Sequence, residues 1–129
     1  SDKDFLSRWS CAILNEYPNF NLVGEEWSLN PHFVSYWQQG RARNPSSCMP
    51  SMFDFPLQAA IATALSDYGS WSNVYDALAM DYLYPDPNNL MVCVDIHDMD
   101  RFYRQVNHDL ASFKLGMTYL LTTRGIPQI

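Results

Sequence analysis

The chain is short of several things that would each have pointed to a different protein class. It has no run of about 18 apolar residues, so nothing in the sequence reads as a membrane-crossing helix. Basic residues are scarce, eight against fourteen acidic ones for a net charge of −6, which argues against a nucleic-acid partner. No Gly-rich phosphate loop follows any apolar run, so a nucleotide-binding doubly wound sheet has little support. No internal repeat is visible. The three cysteines, Cys11, Cys48 and Cys93, have neither a zinc spacing nor an even count. From their apolar surroundings, Cys11 and Cys93 are expected to be small core residues. The Asn44-Pro45-Ser46 sequon is blocked by its proline. No secretory leader is recognisable at the start.

What is present is apolar mass: 47% hydrophobic and 15% aromatic residues in 129 positions, enough for one domain with a core. A neutral, polar ligand such as a sugar suits an acidic, aromatic-rich chain. The pattern alternates. Phe5, Leu6, Trp9 and Ile13 recur at helical spacing after a start in which Ser1 is placed to cap and Asp4 to sit in the first turn. Phe20–Gly24 reads as a strand. Pro31–Gln38 reads as a helix capped by Asn30, with Pro31 at its first position. Residues 40–50 read as a loop, and Ser51–Phe55 as a strand stopped by Pro56. Helices are expected from Leu57 and again from Trp71. Leu90–Val94 is an unbroken apolar run of the kind buried on both faces of a parallel sheet. One long helix is expected after Arg101, marked by Phe102, Val106, Leu110, Phe113, Met117, Leu120 and Leu121. Gly125 ends it, before a last strand from Ile126. Helices alternating with strands predict a parallel α/β sheet, whose chemistry gathers at the C-terminal strand ends in both barrels and open sheets.

Two polar clusters stand at such ends. In Gly24-Glu25-Glu26-Trp27, an acid beside an indole is the arrangement that can keep a carboxyl protonated for general-acid work. Two solvated loop glutamates are the plainer reading of that tetrapeptide alone. In Asp95-Ile96-His97-Asp98-Met99-Asp100, a carboxylate can stabilise an oxocarbenium-like transition state. Capping of the next helix by Asp98 or Asp100 is the structural alternative, and a metal site is a further one, without a recognised loop pattern. Trp9, Trp71 and Phe113 sit on periodic stripes and are expected in the core. Trp27, Trp37, Tyr36 and Tyr103 are candidates for stacking on sugar rings, Trp27 foremost. Arg101 either contacts substrate or pairs with a neighbouring acid. His32 and His108 are expected at the surface.

The ordered set Phe20–Trp27, Phe53-Asp54-Phe55-Pro56-Leu57, Val94–Arg101 and Thr122–Ile129 resembles glycoside hydrolase family 13, in its neopullulanase, cyclomaltodextrinase and α-amylase group as found in gut Bacteroidetes. The resemblance covers nearly the whole chain. It implies a partial (β/α)8 barrel, roughly strands 5 to 8 with flanking helices, and residues 1–129 as a single piece of the catalytic domain. It implies a retaining α-glucan hydrolase acting on starch-like, pullulan-like or cyclodextrin substrates. Glu25 takes the general-acid role and Asp98 the transition-state role, while His97, Trp27 and Arg101 are placed as substrate-binding residues. Calcium occurs in the family, but no cofactor or metal site is identified here. A periplasmic or cell-envelope location is the family expectation.

Two departures stand out. Ile96 occupies the position of the family's Asn before His-Asp. The family's nucleophile motif, Gly-x-Arg-x-Asp, is absent, and the chain starts where relatives have just passed it. The isolated chain is therefore expected to be inactive, and to self-associate or to require the missing N-terminal half of the barrel. A noncatalytic carbohydrate-binding or structural fragment is the alternative.

Overall fold

A computed structural model describes residues 2–38, 47–66 and 69–129. The first helix, α1 (Lys3–Glu16), starts at Asp2, whose carboxylate accepts the Phe5 N–H. Ser1 and the sequon Asn44-Pro45-Ser46 lie outside the described residues. The strand β1 (Val23–Gly24) follows, then α2 (Pro31–Trp37), with the Asn30 side chain accepting the His32 N–H and Pro31 opening the helix, as the capping pattern required. Next come β2 (Ser51–Met52), α3 (Phe55–Ala64), α4 (Ser72–Ala79), β3 (Met91–Val92), α5 (Phe102–Gln105), α6 (Leu110–Thr122) and β4 (Ile126–Pro127).

The strands are much shorter than their apolar runs. Leu90, Val92, Cys93 and Val94 are all buried, yet only Met91 and Val92 form ladder pairs. Pairing is parallel throughout: β1 with β2, and β3 with β4. A parallel bridge from Phe53 to Met91 joins the two pairs, supported by the Asp54 N–H donating to the Met91 carbonyl. Spatial order therefore follows chain order. A doubly wound sheet reverses its strand order at a switch point, whereas a barrel wall proceeds as seen here.

Three expectations change. The strand expected over Ser51–Phe55 ends early, because Pro56 does not stop a strand but opens a helix: Asp54 caps α3 through the Leu57 N–H. The long helix after Arg101 is two helices. Asn107 and His108 take positive φ, and Asp109 caps α6 by accepting the Ser112 N–H. Asn and a following Asp cap outweigh the continuing apolar period at that point. Finally, Trp9 is 43% exposed, with Phe5 also outward, while Ser7 and Ser10 form the buried side of α1. The predicted stripe is split: Phe5 and Trp9 face outward, while Leu6 and Ile13 are half-buried.

The main core lies between α3, α4, α6 and the β3 strand, built from Leu57, Ile61, Val74, Val92, Phe102 and Leu120. Trp71 and Phe113 pack against it, as expected. Gly116 makes room for it: a side chain there would strike the Phe102 ring. A smaller core of Val34, Met49, Met52, Tyr84 and Leu90 sits under α2. Gln38 is fully buried beside it, its amide donating to the Pro50 and Asp86 carbonyls and accepting the Asp86 N–H.

Candidate functional site

All four strands run the same way, so the segments leaving them share one rim of the sheet. Glu25, Glu26 and Trp27 leave β1 there. Side chains alternate along this extended stretch. Glu25 and Trp27 are exposed, and Glu26 is half-buried on the other side. The enclosure expected for Glu25 is not present in the chain by itself. Glu25 does line a cavity of about 100 Å³, together with Leu6, Ser7, Glu26, Ser47 and Met49. Glu26 accepts the Trp37 indole N–H at 2.8 Å. Trp37 is thus half-buried and engaged with a carboxylate. Tyr36 lies edge-on to it, and Lys3 caps the Tyr36 ring face while donating to the Tyr36 carbonyl at 2.6 Å.

The second cluster leaves β3. Its aspartates divide the work differently from expectation. Neither Asp98 nor Asp100 caps the following helix. Asp95 does, its carboxylate accepting the Phe102 N–H and pairing with Arg101 at 2.9 Å. Arg101 therefore takes the acid-pairing alternative in this structure. Asp100 pairs with Arg104 at 3.2 Å. His97 and Asp98 are both exposed, with Nε2 of His97 3.4 Å from the Asp98 carboxylate. Among the described residues no group of three or more His, Cys, Asp or Glu is arranged to hold a metal ion.

A buried apolar patch lies between the two clusters. Trp27 packs on Phe55 with ring centroids 4.6 Å apart, and Phe55 stacks on Phe53 at 5.5 Å. Phe55, Cys93 and Ile96 form one buried cluster, with Phe53 and Met99 against it. Ile96, just before His97-Asp98, is only 4% exposed. A ring ladder thus runs from the residue two after Glu25 toward the residue two before Asp98. Trp27 itself remains 53% exposed, leaving one face of a large ring open. Burial pushes the Cys93 thiol up to about 12, with the Asp54 and Asp95 carboxylates adding to the effect. It is a core residue, as expected.

Cys11 is not. It forms a disulfide with Cys48, joining α1 to the segment before β2. The pairing escaped the sequence reading because an odd count and a separation of 37 residues identify no partner. The reading also missed a buried charge cluster. Arg124, just before β4, donates to Asp54 at 2.6 Å and to both carboxylate oxygens of Asp81. Asp54 is 1% exposed and caps α3 at the same time. Burial pushes its carboxyl above the ordinary range, against the opposing pull of Arg124. The signal available was Asp-Phe-Pro, a cap followed by a proline in the first turn.

No family model matches the chain. Comparison with curated proteins finds the cyclomaltodextrin glucanotransferase of Bacillus sp. (strain 38-2), 30% identical over 131 residues, covering 98% of this chain. Among solved structures, the α-amylase of Geobacillus thermoleovorans, in complex with acarbose, matches 98% of the chain at 26% identity with a TM-score of 0.83. A cyclomaltodextrin glucanotransferase of three-domain ABC distribution matches 99% at 25% identity, also with a TM-score of 0.83. The chain spans 17% of the length of the first of these, 28% of the second and 26% of the third. It is built like part of the barrel of these enzymes.

Proposed function

We propose, from the premise that this chain resembles a segment of a glycoside hydrolase family 13 barrel, that it carries the acid and transition-state carboxylates of a retaining α-glucan hydrolase. Its strands correspond to the fifth through eighth of that barrel, within one catalytic domain over residues 1–129. The observation that carries the reading is the shared rim: Glu25 and Asp98 follow the parallel strands β1 and β3, with β2 between them, and are connected across it by the Trp27–Phe55–Ile96 contacts. Glu25 protonates the glycosidic oxygen and then activates water, while Asp98 stabilises the developing positive charge. His97 and the open face of Trp27 contact the sugar. Arg101, held by Asp95, reaches substrate only by giving up that pair. Substrates are starch-like, pullulan-like or cyclic α-glucans.

Retention also needs a nucleophile about 5–5.5 Å from the acid, and that group comes from outside this sequence. The isolated chain is inactive for this reason. Joined to the complementary strands of a matched amylase, it hydrolyses starch, pullulan or cyclodextrin, and Glu25→Gln lowers the rate by about a hundredfold or more. Stoichiometric product from the pure chain, lost on Glu25→Gln, overturns the need for an outside nucleophile. A joined protein that binds glucan without cleaving it turns the assignment to the noncatalytic carbohydrate-binding reading. Burial of Ile96 where the family has an amide is the observation that favours that reading.

Two further points support parts of the proposal. A groove of about 660 Å³ lies at the N-terminal ends of the strands, lined by Phe20, Val23, Ser51, Asn89, Met91 and Ile126, and β1 and β4 are left with open edges. Such edges favour pairing with further strands, from a second copy or from the rest of a barrel. The Cys11–Cys48 disulfide supports an oxidising compartment such as the periplasm or cell envelope.

A further inference from the structure

We infer that Glu26 is a positioning residue for Glu25, and that the Cys11–Cys48 disulfide keeps its support in place. The inference rests on the reading of Glu25 as the acid, and extends it to a residue that the family pattern leaves unassigned.

The argument follows one connected path. Glu26 is the only neighbour of Glu25 on its C-terminal side in the chain, so fixing Glu26 limits the backbone that carries Glu25. Two bonds fix it. Its carbonyl accepts the Ser28 N–H at 2.8 Å, and its carboxylate accepts the Trp37 indole N–H at 2.8 Å. The second bond closes a loop from β1 through α2 and back to the strand end. Trp37 is held in turn: its carbonyl accepts the Ser47 hydroxyl at 2.7 Å. Ser47 precedes Cys48, and Cys48 is bonded to Cys11 on α1. The same path walls the cavity beside Glu25, since Ser7, Glu26, Trp37, Ser47 and Met49 all line it. A charge-assisted hydrogen bond from an indole is directional and stronger than a neutral one. Removing the acceptor frees both the indole and the loop.

The test uses the whole chain, with the Trp37 indole N–H resonance as reporter and maltotriose as the binding probe. Glu26→Gln keeps an acceptor oxygen and leaves the resonance near its wild-type position. Glu26→Ala and Trp37→Phe each weaken maltotriose binding by about tenfold, and the double variant is no worse than either, because both remove one interaction. Reduction with a phosphine, or Cys48→Ser, moves the Trp37 resonance in the same direction as Glu26→Ala. An indole signal unmoved by Glu26→Ala overturns the positioning role. A signal unmoved by reduction overturns the part assigned to the disulfide. If the wild-type chain shows no maltotriose binding either alone or joined to the complementary strands, the glucan reading fails, while the resonance shifts still decide whether Glu26 holds Trp37.

Discussion

The two ends of this molecule are held together by different forces. From α3 to α6 the chain closes over a continuous apolar core, with Phe102 1% exposed and lodged in the notch left by Gly116. The region around α1 and α2 has a small core only, and turns Phe5, Trp9, Tyr17 and Phe20 outward. Directional and covalent links take over there: the disulfide, the Gln38 amide, the Trp37–Glu26 bond and Lys3 on Tyr36. The glucan-cleaving acid proposed here sits on the covalently braced side, and its partner Asp98 on the side next to the oily core. Nonpolar packing tolerates reshaping by small increments, whereas a link such as a disulfide is present or absent.

The comparison can be broken most forcefully in the core. Phe102→Ala removes a full ring from a fixed surrounding and lowers unfolding free energy by about 3–5 kcal/mol, read by urea denaturation. A loss under about 1 kcal/mol would mean that this core is not the main source of stability. On the other side, Cys11→Ser with Cys48→Ser removes a cross-link over 37 residues and costs about 3–4 kcal/mol, with the loss reproduced in the wild type by reductant. An unchanged denaturation midpoint under reduction would remove the contrast between the two regions.

A pH titration sharpens it further. The buried Cys93 thiol is pushed to about 12 in the fold, above its value in the unfolded chain, so unfolding releases a proton in alkali. Its contribution is fully present below the unfolded value near 9 and is lost as pH rises toward 12. Cys93→Val flattens the decline in stability over that window, and an identical decline in the variant would assign it elsewhere. The smallest effect is expected at Trp9. Trp9→Ser changes stability by about 1 kcal/mol or less, since the ring is 43% exposed and lies outside the buried clusters. A much larger loss would show that a further surface covers it in solution.

Much of this was legible in the sequence, for physical reasons that can be named. Asn30-Pro31 announced a helix start because capping and the fixed φ of proline act locally. Alternation of helix and strand, and the ends at which the acidic clusters fall, were legible because they depend on period and polarity. What escaped were the long-range choices. Nothing in residues 5 to 13 says which face of α1 turns inward, since that is decided by the surface it meets. Nothing near Arg124 names Asp54, seventy positions away, or Asp81 as its partners. The break between α5 and α6 was readable in Asn107-His108-Asp109, but the apolar period on either side concealed it. Ile96 was noted as a departure from the family, while its place in a buried cluster with Phe55 and Cys93 needed the fold.

That last residue has a thermal consequence. The root of the His97-Asp98 turn is seated in hydrocarbon through Ile96, rather than tied by an amide. Seating of this kind weakens as water is cooled, because the drive to bury apolar surface fades at low temperature. The turn should therefore loosen in the cold before the charged contacts around Asp95 give way, making chilled solution the condition in which this rim is least well formed.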